Sequence, residues 1–203
     1  MSIDWKFISS KDIEGESEHL TGYVPETGKS GFTVGSWDIG QHSREDVRRI
    51  LQSYSNKLDP NNPRGYGNIR QDLLTTLSPY ALRKDISDAD ARNVSFKKED
   101  IQYLMAAKRH EFETQTLPKL KGWEGLTPKV KTILASVGWQ YGTNEQPFQD
   151  LYALKDKPAQ MVSKLMEMGG ELGYPHRRGK EAQYLDPLLY QMLKRENMLL
   201  GQR

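Results

Sequence analysis

The chain has 203 residues, of which 29 are basic and 27 acidic, so its formal net charge is +2. This length allows a sizeable hydrophobic core, and the absence of cysteine excludes disulfide scaffolds, thiolate nucleophiles and cysteine-based zinc sites. The small net charge gives no support to nucleic-acid binding, and no run of about 18 apolar residues is present. We therefore expect neither a nucleic-acid partner nor a membrane span.

The first predicted element is a helix over residues 3–14. Ile3, Phe7 and Ile13 fall on roughly one face of such a helix. Gly15 follows directly, and glycine is a common helix stop.

Residues 20–42 differ from the rest of the chain because glycine is frequent there. Phe32 and Val34 alternate with Thr33, which is the period of a β-strand. The segment therefore predicts short strands joined by tight turns, including a hairpin turn at residues 26–30.

From Ser43 onward the pattern becomes helical. Ser43 and Asp46 resemble a capping box at a helix start, and Thr127 with Pro128 has the chemistry of an N-cap followed by a first helical residue. Loops are predicted at 59–67 and 84–93, and a helix break at Pro187. Apolar residues at helical spacing predict helices that start near residues 43, 69, 101, 128, 158 and 178.

This order of elements predicts an α+β fold that is mainly α. We expect a single domain over residues 1–203, with a small β lobe at about 20–42 and a helical body at about 43–203. The helices lack sustained heptads, so a globular body is favoured over a coiled coil.

Two kinds of site receive little support. The segment GYVPETGKSG contains Gly-Lys-Ser, but five residues separate Gly22 from Gly28 where a phosphate loop requires four. Nucleotide binding through Lys29 thus remains a minor alternative to a hairpin turn. The four histidines show no metal-binding spacing and HExxH is absent, so no metal or other cofactor is expected.

Acidic residues are the remaining candidates for chemistry. Glu14 lies at the end of the first predicted helix, and Asp38 lies with Thr33 in the glycine-rich segment. Two carboxyl groups on opposite walls of a cleft are what glycoside hydrolysis needs, one to donate a proton and one to activate water. On the pattern alone, the ordinary interpretation is favoured: a solvated glutamate, a turn-capping aspartate and a strand threonine.

Four short segments follow one another in an informative order: IEG at 13–15, GYVP at 22–25, SGFTVG at 30–35 and WDIGQ at 37–41. Together they resemble the N-terminal pattern of phage-type lysozymes, and in particular the pesticin-like muramidases found among bacteriocins and other bacterial toxins. Further along, SVGWQYG at 136–142 resembles a core helix, and Arg177-Arg178 with Glu181-Ala182 resembles the family's Arg-Arg-x-x-Glu-Ala region.

The resemblance implies a lysozyme-like fold and a muramidase that cuts the β-1,4 bond between N-acetylmuramic acid and N-acetylglucosamine in peptidoglycan. It places the general-acid glutamate at Glu14, and the residues that hold the attacking water at Asp38 and Thr33, as in inverting enzymes. Glu16 and Glu18 lie nearby in the sequence and compete with Glu14 for the acid role.

Three further residues are candidates for substrate binding. Tyr23 and Trp37 offer rings that can pack against sugar faces, although burial in the small lobe is equally compatible with the sequence. Gln41 either binds substrate or closes a turn. The predicted partners are the glycan strands of peptidoglycan and, for a toxin, an immunity protein that plugs the cleft; the protein is expected to be a monomer.

The N-terminal residues show no secretory signal pattern. We therefore expect synthesis in the cytoplasm and action in the periplasm or cell wall, after delivery by a secretion system for a toxin or effector, or by phage lysis for an endolysin. The alternative function is that of a catalytically inactive lysozyme-like module that binds peptidoglycan or a protein.

Overall fold

The computed structural model describes residues 3–10, 20–25, 30–58 and 70–200. Residues 198–200 are described for their backbone only. The chain divides into two compact units. The hairpin unit comprises Glu18–Leu117, and the helical unit combines Met1–Ser17 with Pro118–Arg203. A mainly α fold with a small antiparallel sheet is confirmed, whereas the single domain over residues 1–203 stays a prediction.

The described elements are α-helices, one pair of strands and short turns of 3₁₀ or π helix. Turns of 3₁₀ helix occur at Ile39–Gln41 and Ser78–Tyr80, and a π-helical turn at Phe112–Thr116. In chain order the helices and strands are α1 (Trp5–Ile8), β1 (Thr33–Val34), β2 (Trp37–Asp38), α2 (Arg44–Leu58), α3 (Gln71–Leu77), α4 (Asp88–Arg92), α5 (Lys98–Glu111), α6 (Pro128–Tyr141), α7 (Gln146–Tyr152), α8 (Pro158–Glu171), α9 (Pro175–Leu185) and α10 (Pro187–Leu200).

In the hairpin unit, α2 packs against α3 and α5, and α5 also contacts β2. The start of α2 is capped as predicted, because the Asp46 amide donates to Ser43 Oγ at 3.1 Å and the Ser43 amide donates to Asp46 Oδ2 at 3.3 Å. Val47, Ile50 and Leu51 then bury one face of the helix. This face joins the hairpin residues in one hydrophobic core.

In the helical unit, α6 is the central helix and contacts α1, α7 and α9. Its residues 130–138 are buried on every side, as expected of a helix surrounded by others. The predicted start is confirmed: Thr127 Oγ1 accepts from the Val130 amide at 3.4 Å, and Pro128 occupies the first turn.

The first helix is shorter than predicted. Asp4 Oδ1 caps it by accepting from the Phe7 amide at 3.0 Å, and the helix ends at Ile8. Ser9 then donates from its hydroxyl to the Trp5 carbonyl at 2.6 Å, a local bond that competes with further helix. Residues 11–14 of the predicted helix lie outside the described residues.

Two short helices were not predicted. The connector expected at 84–93 contains α4, whose N-cap Ser87 accepts from the Asp90 amide at 3.0 Å, and α7 follows α6 closely. Helix α8 starts at residue 158 and the break before Pro187 is present, both as predicted, while α9 begins three residues earlier than expected, at Pro175. The predicted loop at 59–67 and most of the turn at 26–30 lie outside the described residues.

Candidate active site

Thr33 and Asp38 lie opposite each other on the hairpin of β1 and β2. The antiparallel register pairs Thr33 with Asp38 and Val34 with Trp37. Gly35, the first of the two turn residues, has φ +59, which is the pattern of a type II′ turn and favours glycine at that position. Directly opposed residues project from the same face of a sheet, so this register brings the two predicted catalytic side chains together.

Tyr23 pairs with Thr33 from the other side, so Tyr23, Thr33 and Asp38 form one row across the strands. The Tyr23 amide donates to the Thr33 carbonyl at 3.0 Å, and the Thr33 amide donates to the Tyr23 carbonyl at 2.8 Å. On the other side of β1, the Ile39 amide bonds to the Phe32 carbonyl at 2.8 Å, so Thr33 and Asp38 form a non-hydrogen-bonded pair. Such pairs have the closest opposed side chains, with about 4.5 Å between Cα atoms.

The other face of the hairpin belongs to the hydrophobic core. Trp37 is 1% exposed. The His42 ring packs edge-on against its indole with 5.8 Å between ring centroids, and Lys108 Nζ lies 5.9 Å from the centroid of the Trp37 ring. The burial favours a supporting role inside the hairpin over contact with a sugar, the two alternatives that the sequence left open. The buried residues of this face are Phe32, Val34, Trp37 and Ile39.

The carboxylate of Asp38 has a donor on each oxygen. Oδ1 accepts from the Gly31 amide at 3.2 Å, and Oδ2 accepts from Gln41 Nε2 at 2.9 Å. Gln41 is exposed and sits at the end of the 3₁₀ turn that follows β2, so its side chain reaches back over three residues. The side-chain amide of Gln41 therefore orients the Asp38 carboxylate. Contact between Gln41 and substrate stays a prediction.

Gly31 connects the two candidate side chains. Its carbonyl accepts from Thr33 Oγ1 at 3.2 Å, while its amide donates to Asp38. Thr33 is only 4% exposed. Because the hydroxyl proton of Thr33 is used on the carbonyl, its oxygen can act towards a neighbouring group only as an acceptor.

The backbone around this pair is packed too closely for side chains at two glycines. A Cβ at Gly31 would lie 2.2 Å from the Arg83 carbonyl oxygen and 2.9 Å from the Cα of Gly40. A Cβ at Gly40 would lie 2.6 Å from the same oxygen. The hairpin is thus fixed against the backbone of the segment that follows α3.

His42 lies beside the hairpin and is uncharged at neutral pH. Burial lowers the pKa of His42 to about 4, and the positive charge of Lys108 acts in the same direction, while nearby carboxylates oppose it. Lys108 is itself paired with Glu111 at 3.1 Å. The side of the hairpin next to Trp37 therefore carries a neutral imidazole and a compensated ammonium group.

Tyr23 is anchored to the hairpin turn. Its hydroxyl donates to the Gly35 carbonyl at 2.7 Å, and the residue is half-buried. This bond fixes the ring in the row that holds Thr33 and Asp38. Its contact with a sugar stays a prediction.

The predicted general acid, Glu14, lies outside the described residues, as do its competitors Glu16 and Glu18. The structure thus describes the aspartate and threonine of the predicted site, and the three assignments of catalytic roles remain predictions.

The segment SVGWQYG at 136–142 and the Arg-Arg-x-x-Glu-Ala segment at 177–182 meet in a buried polar network of the helical unit. Arg178 and Glu181 are fully buried and form an ion pair, and Arg178 also donates to Gln140. Arg177 Nε lies 3.3 Å from Glu181, and Ser136 Oγ donates to the same carboxylate at 2.5 Å. Among the described residues, both arginines pair with the helix acid Glu181.

Sequence reasoning missed the groups that hold the Asp38 carboxylate. Gln41 stands three residues after Asp38, a spacing that permits a bond across one helical turn, so a signal for it existed. No sequence pattern indicates the bond from the Gly31 amide to Asp38, because the two residues come together only through the register of the hairpin.

Within the described residues, no three histidine, aspartate or glutamate side chains come together in a group that could hold a metal ion. In the same part of the chain, no helix is both long and apolar enough to cross a membrane.

A family model matches residues 2–151 of the chain. The family is Pesticin, described as a bacterial toxin homologue of phage lysozyme, C-terminal part. The matched range includes position 14 and the whole hairpin, and it ends before the Arg177–Glu181 network. No curated protein and no solved structure showed significant similarity to the chain.

Proposed function

Because the chain belongs to the Pesticin family of bacterial toxins homologous to phage lysozyme, we propose that it is a muramidase. Its substrate is peptidoglycan, and the bond cut is the β-1,4 linkage between N-acetylmuramic acid and N-acetylglucosamine. The anomeric carbon is inverted in the reaction. The observation that carries this proposal is the cross-strand pair of Thr33 and Asp38, with the carboxylate held by Gly31 and Gln41.

The pair suits the placement of one water molecule. A water between the two side chains donates one proton to the Asp38 carboxylate and the other to Thr33 Oγ1, whose own proton is engaged with the Gly31 carbonyl. The oxygen lone pair of the water then points away from both groups, towards the anomeric carbon. Thr33 orients the water without adding a second negative charge.

The reaction needs an acid on the opposite side of the sugar. Glu14 gives its proton to the bridging oxygen as the glycosidic bond breaks, while Asp38 takes a proton from the attacking water. In inverting enzymes the two carboxyl groups stand roughly 6.5–9.5 Å apart, which leaves room for the water. Water attacks from the face opposite the leaving group, so the β-linkage yields an α-anomer.

Release of reducing ends from purified peptidoglycan, with mass spectrometry of the fragments and NMR of the first anomer formed, tests bond and stereochemistry together. Glu14→Gln and Asp38→Asn are expected to lower turnover by about 10²–10⁴-fold. Glu16→Gln is the matched control and leaves turnover near that of the unmodified protein. A fully active Glu14→Gln variant would reject the acid assignment, and a β-anomeric product would reject inversion.

Thr33→Val tests the water-holding role separately. Valine fills the same buried space but has no hydroxyl, so the water loses one acceptor and the Gly31 carbonyl loses the Thr33 donor. We expect a loss of about tenfold in turnover, with thermal unfolding followed alongside. If the unmodified protein binds peptidoglycan but releases no reducing ends, the inactive binding module becomes the better description.

We also propose that the protein acts in the periplasm or cell wall as a toxin after delivery from the cell that makes it. Its expected partner besides the glycan is an immunity protein that blocks the site, and it is expected to work as a monomer. Expression with and without an added export leader tests this: lysis should require export and should vanish with Asp38→Asn. Lysis by the unexported protein would contradict the proposed site of action.

A further inference from the structure

Leu82 has an unusual backbone conformation for its residue type. Its φ is +57, the one positive value at a non-glycine position within the described ranges. A β-carbon clashes with the backbone in this region, so bulky residues rarely occupy it. Leu82 is nevertheless 66% exposed, so packing in the core does not compensate for the strain.

The surroundings hold this conformation in place. The Leu82 amide donates to the His42 carbonyl at 2.9 Å, and the Arg83 amide donates to the Tyr80 carbonyl at 3.2 Å. The Tyr80 ring stacks on Phe32 with 4.1 Å between centroids. The strained residue is therefore fixed by contacts on both sides, which is common where an unusual conformation serves a function.

These contacts place Leu82 beside the Asp38 end of the hairpin. His42, which accepts from its amide, follows Asp38 by four residues. The carbonyl of the next residue, Arg83, lies against Gly31, whose amide holds the Asp38 carboxylate. One segment of backbone thus packs against the glycine that holds the carboxylate and exposes Leu82 to solvent.

A purely structural turn would gain from a different residue here. Asparagine adopts a positive φ at lower cost and does not expose an isobutyl group to water. Leucine gives the folded protein neither advantage. We propose that Leu82 binds substrate and sets affinity for the glycan strand, by packing against the C–H face of a sugar ring or the methyl of an N-acetyl group. This inference rests on the proposed muramidase function.

Three substitutions test the assignment. Leu82→Asn removes the apolar contact and relieves the strain, whereas Leu82→Met keeps an apolar side chain. Leu58→Asn is the matched control, because Leu58 is 60% exposed at the end of α2. The readouts are kcat/KM on glycan strands stripped of their stem peptides, and the Tm.

For Leu82→Asn we expect kcat/KM to fall about tenfold, mainly through KM, while the Tm rises by about 2–4 °C. Leu82→Met should stay within about twofold of the unmodified protein, and Leu58→Asn should not alter kcat/KM. A rising Tm combined with falling affinity is an outcome that a structural role for Leu82 does not produce.

Unchanged kcat/KM in Leu82→Asn would overturn the inference, and so would a lowered Tm, because leucine would then serve the fold. A loss seen only on strands that retain their peptides would overturn the assignment to sugar. If the unmodified protein releases no reducing ends, the proposed function fails independently. Binding of the same variants to stripped strands then decides on Leu82, and equal affinities would reject it.

Discussion

The histidine beside the hairpin predicts how stability depends on pH. Burial lowers the pKa of His42 from 6.5 to about 4, so between these values the unfolded chain binds a proton that the folded protein does not. The free energy of unfolding therefore decreases as the pH falls from 6.5 towards 4. No such loss arises above pH 6.5, where the imidazole is neutral in both states.

The magnitude follows from the same values. At pH 5, about 1.5 pH units below the ordinary pKa of histidine, the unfolded state gains about 2 kcal/mol from protonation. The His42 side chain is only partly buried, and solvent screening reduces this figure to about 1 kcal/mol. His42→Phe keeps a ring edge against Trp37 but cannot titrate.

Urea denaturation at pH 7.5 and pH 5, followed by circular dichroism, measures the effect. The unmodified protein should lose about 1 kcal/mol more than His42→Phe between the two conditions. Asp46, Asp72 and Asp85 have pKa values lowered from 3.8 by hydrogen bonds to Ser43, Arg70 and Arg83 respectively, so they stay ionised at both pH values and change the difference little. Parallel losses in the two proteins would refute the reasoning.

Three other substitutions follow from the contacts. Gly31→Ala puts a Cβ 2.2 Å from the Arg83 carbonyl, so urea denaturation should register a loss of about 2 kcal/mol and reducing-end release should fall; an unchanged midpoint would show that the backbone yields easily. Glu181→Gln leaves the buried charge of Arg178 without its carboxylate and should cost about 3 kcal/mol in thermal unfolding, and a cost under about 1 kcal/mol would contradict the pairing. Ser43→Ala removes a helix cap and should cost about 1 kcal/mol in the same measurement without changing turnover, whereas lost turnover would mean that the cap also shapes the site.

Helix starts could be predicted where local chemistry decides them. Ser43 and Thr127 cap their helices through side chains that bond to amides three residues on, and Pro158 suits a first helical turn. These contacts span a single turn, so the sequence contains all the information. Helix α4 escaped because its five residues are too few to establish a period. Helix α7 has seven residues, as many as the predicted α3, and its buried Phe148 and Leu151 have helical spacing, so a signal for it existed.

The site was only partly accessible from sequence because its geometry depends on residues far apart in the chain. Alternation around Thr33 indicated a strand, but the register that opposes it to Asp38 depends on the turn at Gly35 and on the bond to Tyr23. The lowered pKa of His42 depends partly on Lys108, 66 residues further along. The strain at Leu82 likewise has no sequence signal.

The alternation along the hairpin also affects how this protein can evolve. Side chains that build the interior point one way and the proposed reacting groups point the other, so changes on the two faces have separate effects on folding and turnover. An asparagine at position 38 still accepts from the Gly31 amide, and one base change in an aspartate codon produces it. Under the proposed function, a lineage loses lytic activity through this one substitution, keeps a folded protein that binds glycan, and regains the activity by a single reversion.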